Sequence, residues 1–170
     1  MSPDDRYARF AGATPDSTVR TAQDLLFFAY RDFTNAADVL LEALGLGRAH
    51  HRVLHFVGRN PGMTVSELLG ILRITKQSLA RVLGDLVALG HIAQAPGGAD
   101  RRQRLLTLTE TGTELERRLF ARQQARLAPA FEQVGPDAFA GFAAVMRAIM
   151  DPTARALLDA AAEPGGPDVR

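Results

Sequence analysis

Cysteine is absent from the chain, so no disulfide can form and no thiolate is available to sense oxidants. Long apolar runs are missing too, and none approaches the roughly 18 residues that a membrane-spanning helix requires. The opening Met1-Ser2-Pro3-Asp4-Asp5 lacks the basic and apolar regions of a secretory leader, so a cytoplasmic protein is expected. The marks of catalysis are equally wanting. Ser66 and Ser78 lie in helical segments without a nucleophile elbow, no glycine-rich phosphate loop follows a strand, and no carboxylates pair near a histidine. With 170 residues and 46% hydrophobic content the chain can bury one good core, but not a separate cofactor domain as well. A protein that is not an enzyme and carries no cofactor is expected.

Lysine is nearly absent, with Lys76 alone beside nineteen arginines, a bias that genome composition explains without functional cause. The total of 20 basic and 19 acidic residues, net +1, is uninformative. Its distribution is not. Arg48 to Arg126 hold 13 Lys and Arg against 6 Asp and Glu, net +7, while the remainder hold 7 against 13, net −6. A domain this polarised steers toward a polyanion with salt-sensitive affinity.

The middle of the basic stretch is its most organised part. Leu79, Val82, Leu83, Leu86 and Val87 form one apolar stripe at the helical period, predicting a helix from Thr75 to Leu89. Its other face carries Gln77, Ser78, Arg81, Gly84, Asp85 and Ala88, with Thr75 and Lys76 in the opening turn. Thr75 reads as the N-cap and Gly90 as the residue that ends the helix. Upstream, Thr64-x-x-Glu67 after the Pro61-Gly62 turn is a capping box, and Val65, Leu68, Leu69 and Leu72 supply a packing partner. Downstream, Ile92-Ala93-Gln94 and Leu105 to Leu108 flank Pro96-Gly97-Gly98, predicting a β-hairpin whose tip holds Asp100, Arg101, Arg102 and Arg104. Three arginines at one tip suit the minor groove of DNA, where the potential is most negative. The paired helices suit the adjacent major groove.

These residues resemble the MarR family of winged helix-turn-helix transcriptional regulators. The resemblance runs from about Thr18 to Leu158 and rests chiefly on Asp100-x-Arg102 followed by Leu108-Thr109-x-x-Gly112. It is joined by Leu46, Val53-Leu54, Pro61-Gly62 and Leu68. It implies a mainly α fold with a small β-hairpin wing, in which Asp100 orients Arg102 and Arg102 contacts DNA. It also implies an obligate homodimer, a roughly palindromic operator and, most often, repression by promoter occlusion. A single domain is expected over 16–160, with the winged helix-turn-helix at about 46–112 and dimerisation helices at about 16–44 and 110–160. Loose tails are expected at 1–15 and 161–170. The expected DNA contacts are Gln77, Ser78 and Arg81 near bases, Thr75 and Lys76 near phosphate, and Asp100, Arg101, Arg102 and Arg104 in the wing. The alternative is a winged-helix module that docks protein through the same face; such modules often lose the basic tip kept here.

The flanking helices are read from Asp16 to Leu44, Arg48 to Arg59, Glu110 to about Gln133, and Pro136 to Ala161. Phe27, Phe28, Phe33, Phe131, Phe139, Phe142, Val145, Met146, Ile149, Leu157 and Leu158 give the terminal ones more apolar surface than a monomer of this size needs. Pro129 and Pro152 should kink or interrupt their helices. His51 and His55 at i, i+4, beside His50, have the spacing of a two-imidazole metal site. Without cysteine, further ligands must come from a carboxylate or His91, and packing or hydrogen bonding is the expected role rather than a metal. In the resembling family the junction between dimerisation helices and DNA-binding lobe often binds small aromatic or phenolic effectors. Phe27, Tyr30, Arg48, His50 and His51 are the candidates for such a ligand.

Overall fold

The computed structural model describes residues 14–98 and 101–162. The expected loose tails fall almost wholly outside these residues, as does Asp100. Seven helices and three strands are seen among the described residues: α1 (Asp16–Glu42), α2 (Arg48–Arg59), β1 (Met63–Thr64), α3 (Val65–Leu72), α4 (Lys76–Ala88), β2 (Ile92–Pro96), β3 (Arg104–Leu108), α5 (Glu110–Val134), α6 (Pro136–Ile149) and α7 (Pro152–Ala162). None of these helices is long and apolar enough to cross a membrane.

The core lies inside the helix-turn-helix lobe. Leu54 and Val57 of α2, Leu68 of α3, and Leu79, Val82 and Leu86 of α4 are fully buried and meet Leu106 of β3 and Leu119 of α5. The α4 stripe therefore packs as its spacing predicts, except that Val87 is 37% exposed. It sits at the edge of an apolar arc whose centre is Leu79, Leu83 and Leu86. The Thr64 box is formed: the Glu67 N–H donates to Thr64 Oγ1 at 3.2 Å, and the Thr64 N–H donates to Glu67 Oε2 at 2.6 Å. The Thr64 N–H and the Thr64 hydroxyl, which donates to the same Oε2 at 2.8 Å, lower the pKa of the Glu67 carboxyl, since they favour its charged form.

The wing hairpin is extended by a strand that the sequence pattern did not suggest. The sheet order is β1-β3-β2, all antiparallel, with Met63 opposite Leu106 and Ile92 opposite Leu108. Two residues are too few to show alternation, so β1 exists through its pairing and not through local propensity. The last expected helix is instead two. Asp151 Oδ1 accepts from the Ala154 N–H at 3.0 Å, and Pro152 takes the first helical position, which together start a new helix. Pro129, by contrast, leaves α5 unbroken to Val134. The carbonyl its missing N–H abandons lies on a solvent-exposed stretch, where water can serve it.

Of α1 only Ala37 and Leu41 join this core, and α6 buries nothing among the described residues. Phe131 of α5 packs edge-on against Phe139 and Phe142 of α6, with ring centroids 5.2 and 5.8 Å apart. Leu25, Phe27 and Phe28 of α1 and Val145 and Ile149 of α6 remain exposed.

Candidate nucleic-acid interface

The outward face of α4 begins with its cap. Thr75 Oγ1 accepts from the Ser78 N–H at 3.1 Å and its hydroxyl donates to Ser78 Oγ at 2.8 Å. Ser78 keeps its own hydroxyl hydrogen to offer outward, and the remaining first-turn N–H groups give that end a partial positive charge. Lys76, Gln77, Ser78, Arg81, Gly84 and Ala88 are all exposed on one side of this helix. Gly84 has open space where a Cβ would be. The surface offers donors and little bulk, which suits entry into a groove.

Two devices fix that helix in the lobe. At its start, Arg73 caps α3 with a left-handed backbone, φ 50° and ψ 43°, the one positive-φ residue other than glycine among the described residues. This costs about 1 kcal/mol for an L-residue and turns the chain sharply enough for Thr75 to cap α4 two residues later. In the middle, buried His50 joins two segments. The Gly47 N–H donates to its Nδ1 at 3.0 Å, which leaves the proton on Nε2 to be donated to Asp85 Oδ2, 3.1 Å away. The contact spans 35 residues, so no local pattern could have announced it.

The wing is held by the motif that follows it. Thr109 Oγ1 accepts from the Gly112 N–H at 3.0 Å to cap α5, while its hydroxyl donates to the Gly90 carbonyl at 2.6 Å. The Thr111 hydroxyl reaches the same carbonyl at 2.8 Å, and the Thr109 N–H donates to the His91 carbonyl at 3.1 Å. At Gly112 a Cβ would stand 1.9 Å from the His91 carbonyl oxygen, so only glycine permits this approach. Gly90, at φ 74°, makes the left-handed turn between α4 and β2. Helix α4, the wing and α5 thus converge on residues 90–91. At the far end of the hairpin the Gly97 N–H donates to the Gln103 carbonyl at 3.0 Å, and Arg101, Arg102 and Arg104 are exposed.

The candidate ligand residues divide. Tyr30, Arg48 and His51 line a cavity of about 270 Å³ between α1, α2 and α5, together with Phe33, Arg52 and Gln123. His50 is not among its walls, being committed to Gly47 and Asp85. Phe27, 72% exposed, is outside it as well. Arg48 is held by Asp38 through Nε at 2.9 Å and Nη2 at 2.6 Å, a bond that raises its pKa further. Burial, reinforced by nearby His55, lowers the pKa of His51 and favours the neutral ring. Among the described residues no three His, Asp or Glu side chains are grouped to hold a metal ion.

Residues 44–103 match the sequence profile of the MarR family. Over 140 residues the chain is 46% identical to the HTH-type transcriptional regulator PetP of Rhodobacter capsulatus, covering 82% of this chain and 84% of that protein. Among solved structures, Streptococcus pneumoniae FabT in complex with DNA superposes with a TM-score of 0.66 at 18% identity, over 75% of this chain and 92% of that one. A MarR variant from E. coli complexed with operator DNA gives 0.62 at 18% identity, over 82% of this chain and 100% of that one. At such identities the two structures establish a shared fold.

Proposed function

This chain belongs to the MarR family of transcriptional regulators, and on that premise we propose that it binds a pseudo-palindromic operator in double-stranded DNA as a homodimer and represses transcription by occluding a promoter. The observation that carries the reading is the common anchoring of two DNA-sized projections. The exposed face of α4 and the Arg101-Arg102-Arg104 tip are locked to one another through Gly90, His91, Thr109 and Gly112. In this reading α4 enters a major groove with Gln77, Ser78 and Arg81 nearest bases and Thr75 and Lys76 nearest phosphate. The wing carries Arg102 into the neighbouring minor groove, with Asp100 orienting it.

Support for the homodimer comes from the uncovered apolar faces of α1 and α6, which join no core within one chain. Two copies double the basic surface and set two recognition helices against a two-fold-symmetric site. The cavity beside Tyr30, Arg48 and His51 supports release of DNA by a small aromatic or phenolic acid. It offers aromatic walls, the Arg48 and Arg52 guanidinium groups and a neutral imidazole at the junction of α1, α2 and α5.

Selection from a library of random duplexes tests the proposal. Enrichment of one inverted repeat, bound by two chains, is the expected result. Failure to enrich any sequence at low salt would overturn operator binding and favour a protein-docking winged helix.

A further inference from the structure

A second, larger cavity of about 490 Å³ shares His55 and Phe56 with the first and extends toward the end of α2, between the α2–α3 pair and α7. Its volume is in the range of small-molecule sites. Phe56, Ile71, Met150, Leu157 and Leu158 make most of its walls apolar, and the titratable side chains lining it are Arg59, Arg73 and His55, with no acid among them. All three are exposed enough to reach the rim.

A carboxylate already occupies that rim from within the chain. Asp151, adjacent to the cavity-lining Met150, holds Arg73 at 2.9 Å while both side chains remain substantially exposed. An exposed pair of this kind contributes little and exchanges readily. We propose that this cavity is an effector site for an amphiphilic monocarboxylate with a medium-length alkyl chain. Its carboxylate replaces that of Asp151 on the guanidinium fork of Arg73, and its chain lies among Phe56, Ile71 and Leu157. The fork geometry of arginine matches a carboxylate, and the two guanidinium groups of Arg59 and Arg73 against the single rim acid Asp151 disfavour a cationic amphiphile.

The site also touches the part of the fold best suited to transmit its occupancy. Arg73 is the left-handed cap of α3, two residues before Thr75 caps α4. Leu72, just before it, is gripped through its carbonyl by Arg52 Nη2 at 3.2 Å. A ligand that takes Arg73 from Asp151 releases the start of α7 and pulls on the turn that aims the recognition helix. Ligand binding stands independently of the DNA-binding proposal, whereas its effect on the operator rests on it.

The test is calorimetric titration of the full-length protein with decanoate and with decanol. The expected result is one decanoate per chain, with decanol bound about tenfold more weakly, the loss of one charge-assisted hydrogen bond. Arg73→Gln should weaken decanoate by a similar factor and leave decanol unchanged. Ala154→Trp should fill the cavity and abolish both, and Tyr30→Ala, in the other cavity, should change neither. Decanoate should lower operator affinity in the wild type and not in Arg73→Gln. The proposal is overturned by the absence of saturable decanoate binding, by decanoate affinity indifferent to Arg73→Gln, or by loss of binding in Tyr30→Ala. Undiminished binding to a folded Ala154→Trp, or operator affinity unmoved by saturating decanoate, also overturns it. If Ala154→Trp does not fold, Arg73→Gln decides. If the wild type binds no operator even without decanoate, the DNA-binding proposal fails and the calorimetry still judges the site.

Discussion

Replacing Gly112 with alanine places a methyl group against backbone that cannot step aside. The added Cβ lies 1.9 Å from the His91 carbonyl oxygen, and also 2.9 Å from its carbon. Reaching an ordinary contact of roughly 3.5 Å requires α5 and the start of the wing to separate by about 1.5 Å. That shift breaks or stretches the Thr109 N–H bond to His91 at 3.1 Å and the two hydroxyl bonds to Gly90 at 2.6 and 2.8 Å. At about 1 kcal/mol net for each, the loss is about 3 kcal/mol. Alanine's better helix propensity returns up to about 1 kcal/mol, leaving a net destabilisation of about 2–3 kcal/mol. For a chain of this size that corresponds to a fall in Tm of roughly 4–12 °C. Operator affinity should fall further than stability alone accounts for, because the wing loses its fixed angle to α4. Gly84→Ala is the internal comparison: its Cβ meets nothing within 4 Å, so thermal stability should rise. Any loss of DNA affinity there reports a close helix-to-groove approach. A Gly112→Ala protein that melts with the wild type and binds DNA equally well would refute the anchoring argument.

Arg102→Ala should weaken operator binding while circular dichroism and dimer mass remain unchanged; unaltered affinity would remove the wing tip from the mechanism. Gln77→Ala and Arg81→Ala should change the preferred base at one position of each half-site, by roughly 1–3 kcal/mol per lost bidentate contact. A uniform loss across all sequences would make these residues phosphate contacts. Thr64→Ala removes the α3 cap and should cost about 1 kcal/mol in denaturant titrations at neutral pH. Because the folded-state pKa of Glu67 is depressed by its bonds from Thr64, the carboxylate contribution is present above the ordinary glutamate value of about 4.3 and is lost as pH falls through the lower folded value. The difference between wild type and Thr64→Ala should therefore narrow in acid, and a difference that grows there would contradict the assignment.

What could be read from sequence was the part built from local signals. The 3.6-residue stripe of α4, the Thr64-x-x-Glu67 box, the Gly90 stop and the Arg48–Arg59 helix each depend on neighbours within a few positions, and each is found. Features that depend on distant pairing were not legible. β1 needs Leu106 opposite Met63, His50 needs Asp85 from another helix, and the large cavity needs α7 to fold back across Ile71. Pro152 interrupts the last helix, one of the two effects expected of it, and Asp151 supplies the cap that starts the next one. An aspartate followed by proline is an N-cap and first-turn signature, and it starts a helix here. Gly112 was part of a recognised motif, but its reason, a carbonyl that leaves no room for a Cβ, appears only when His91 is placed beside it.

The most direct test of the central claim is an equilibrium titration of the purified chain against the DNA upstream of its own gene and against an unrelated duplex, at two salt concentrations, with the mass of the complex measured in parallel. Operator binding by helix and wing predicts affinity for the upstream DNA orders of magnitude above the unrelated duplex, a steep loss with salt, and two chains per site. Equal, weak binding to both duplexes, or a single chain per site, would contradict it.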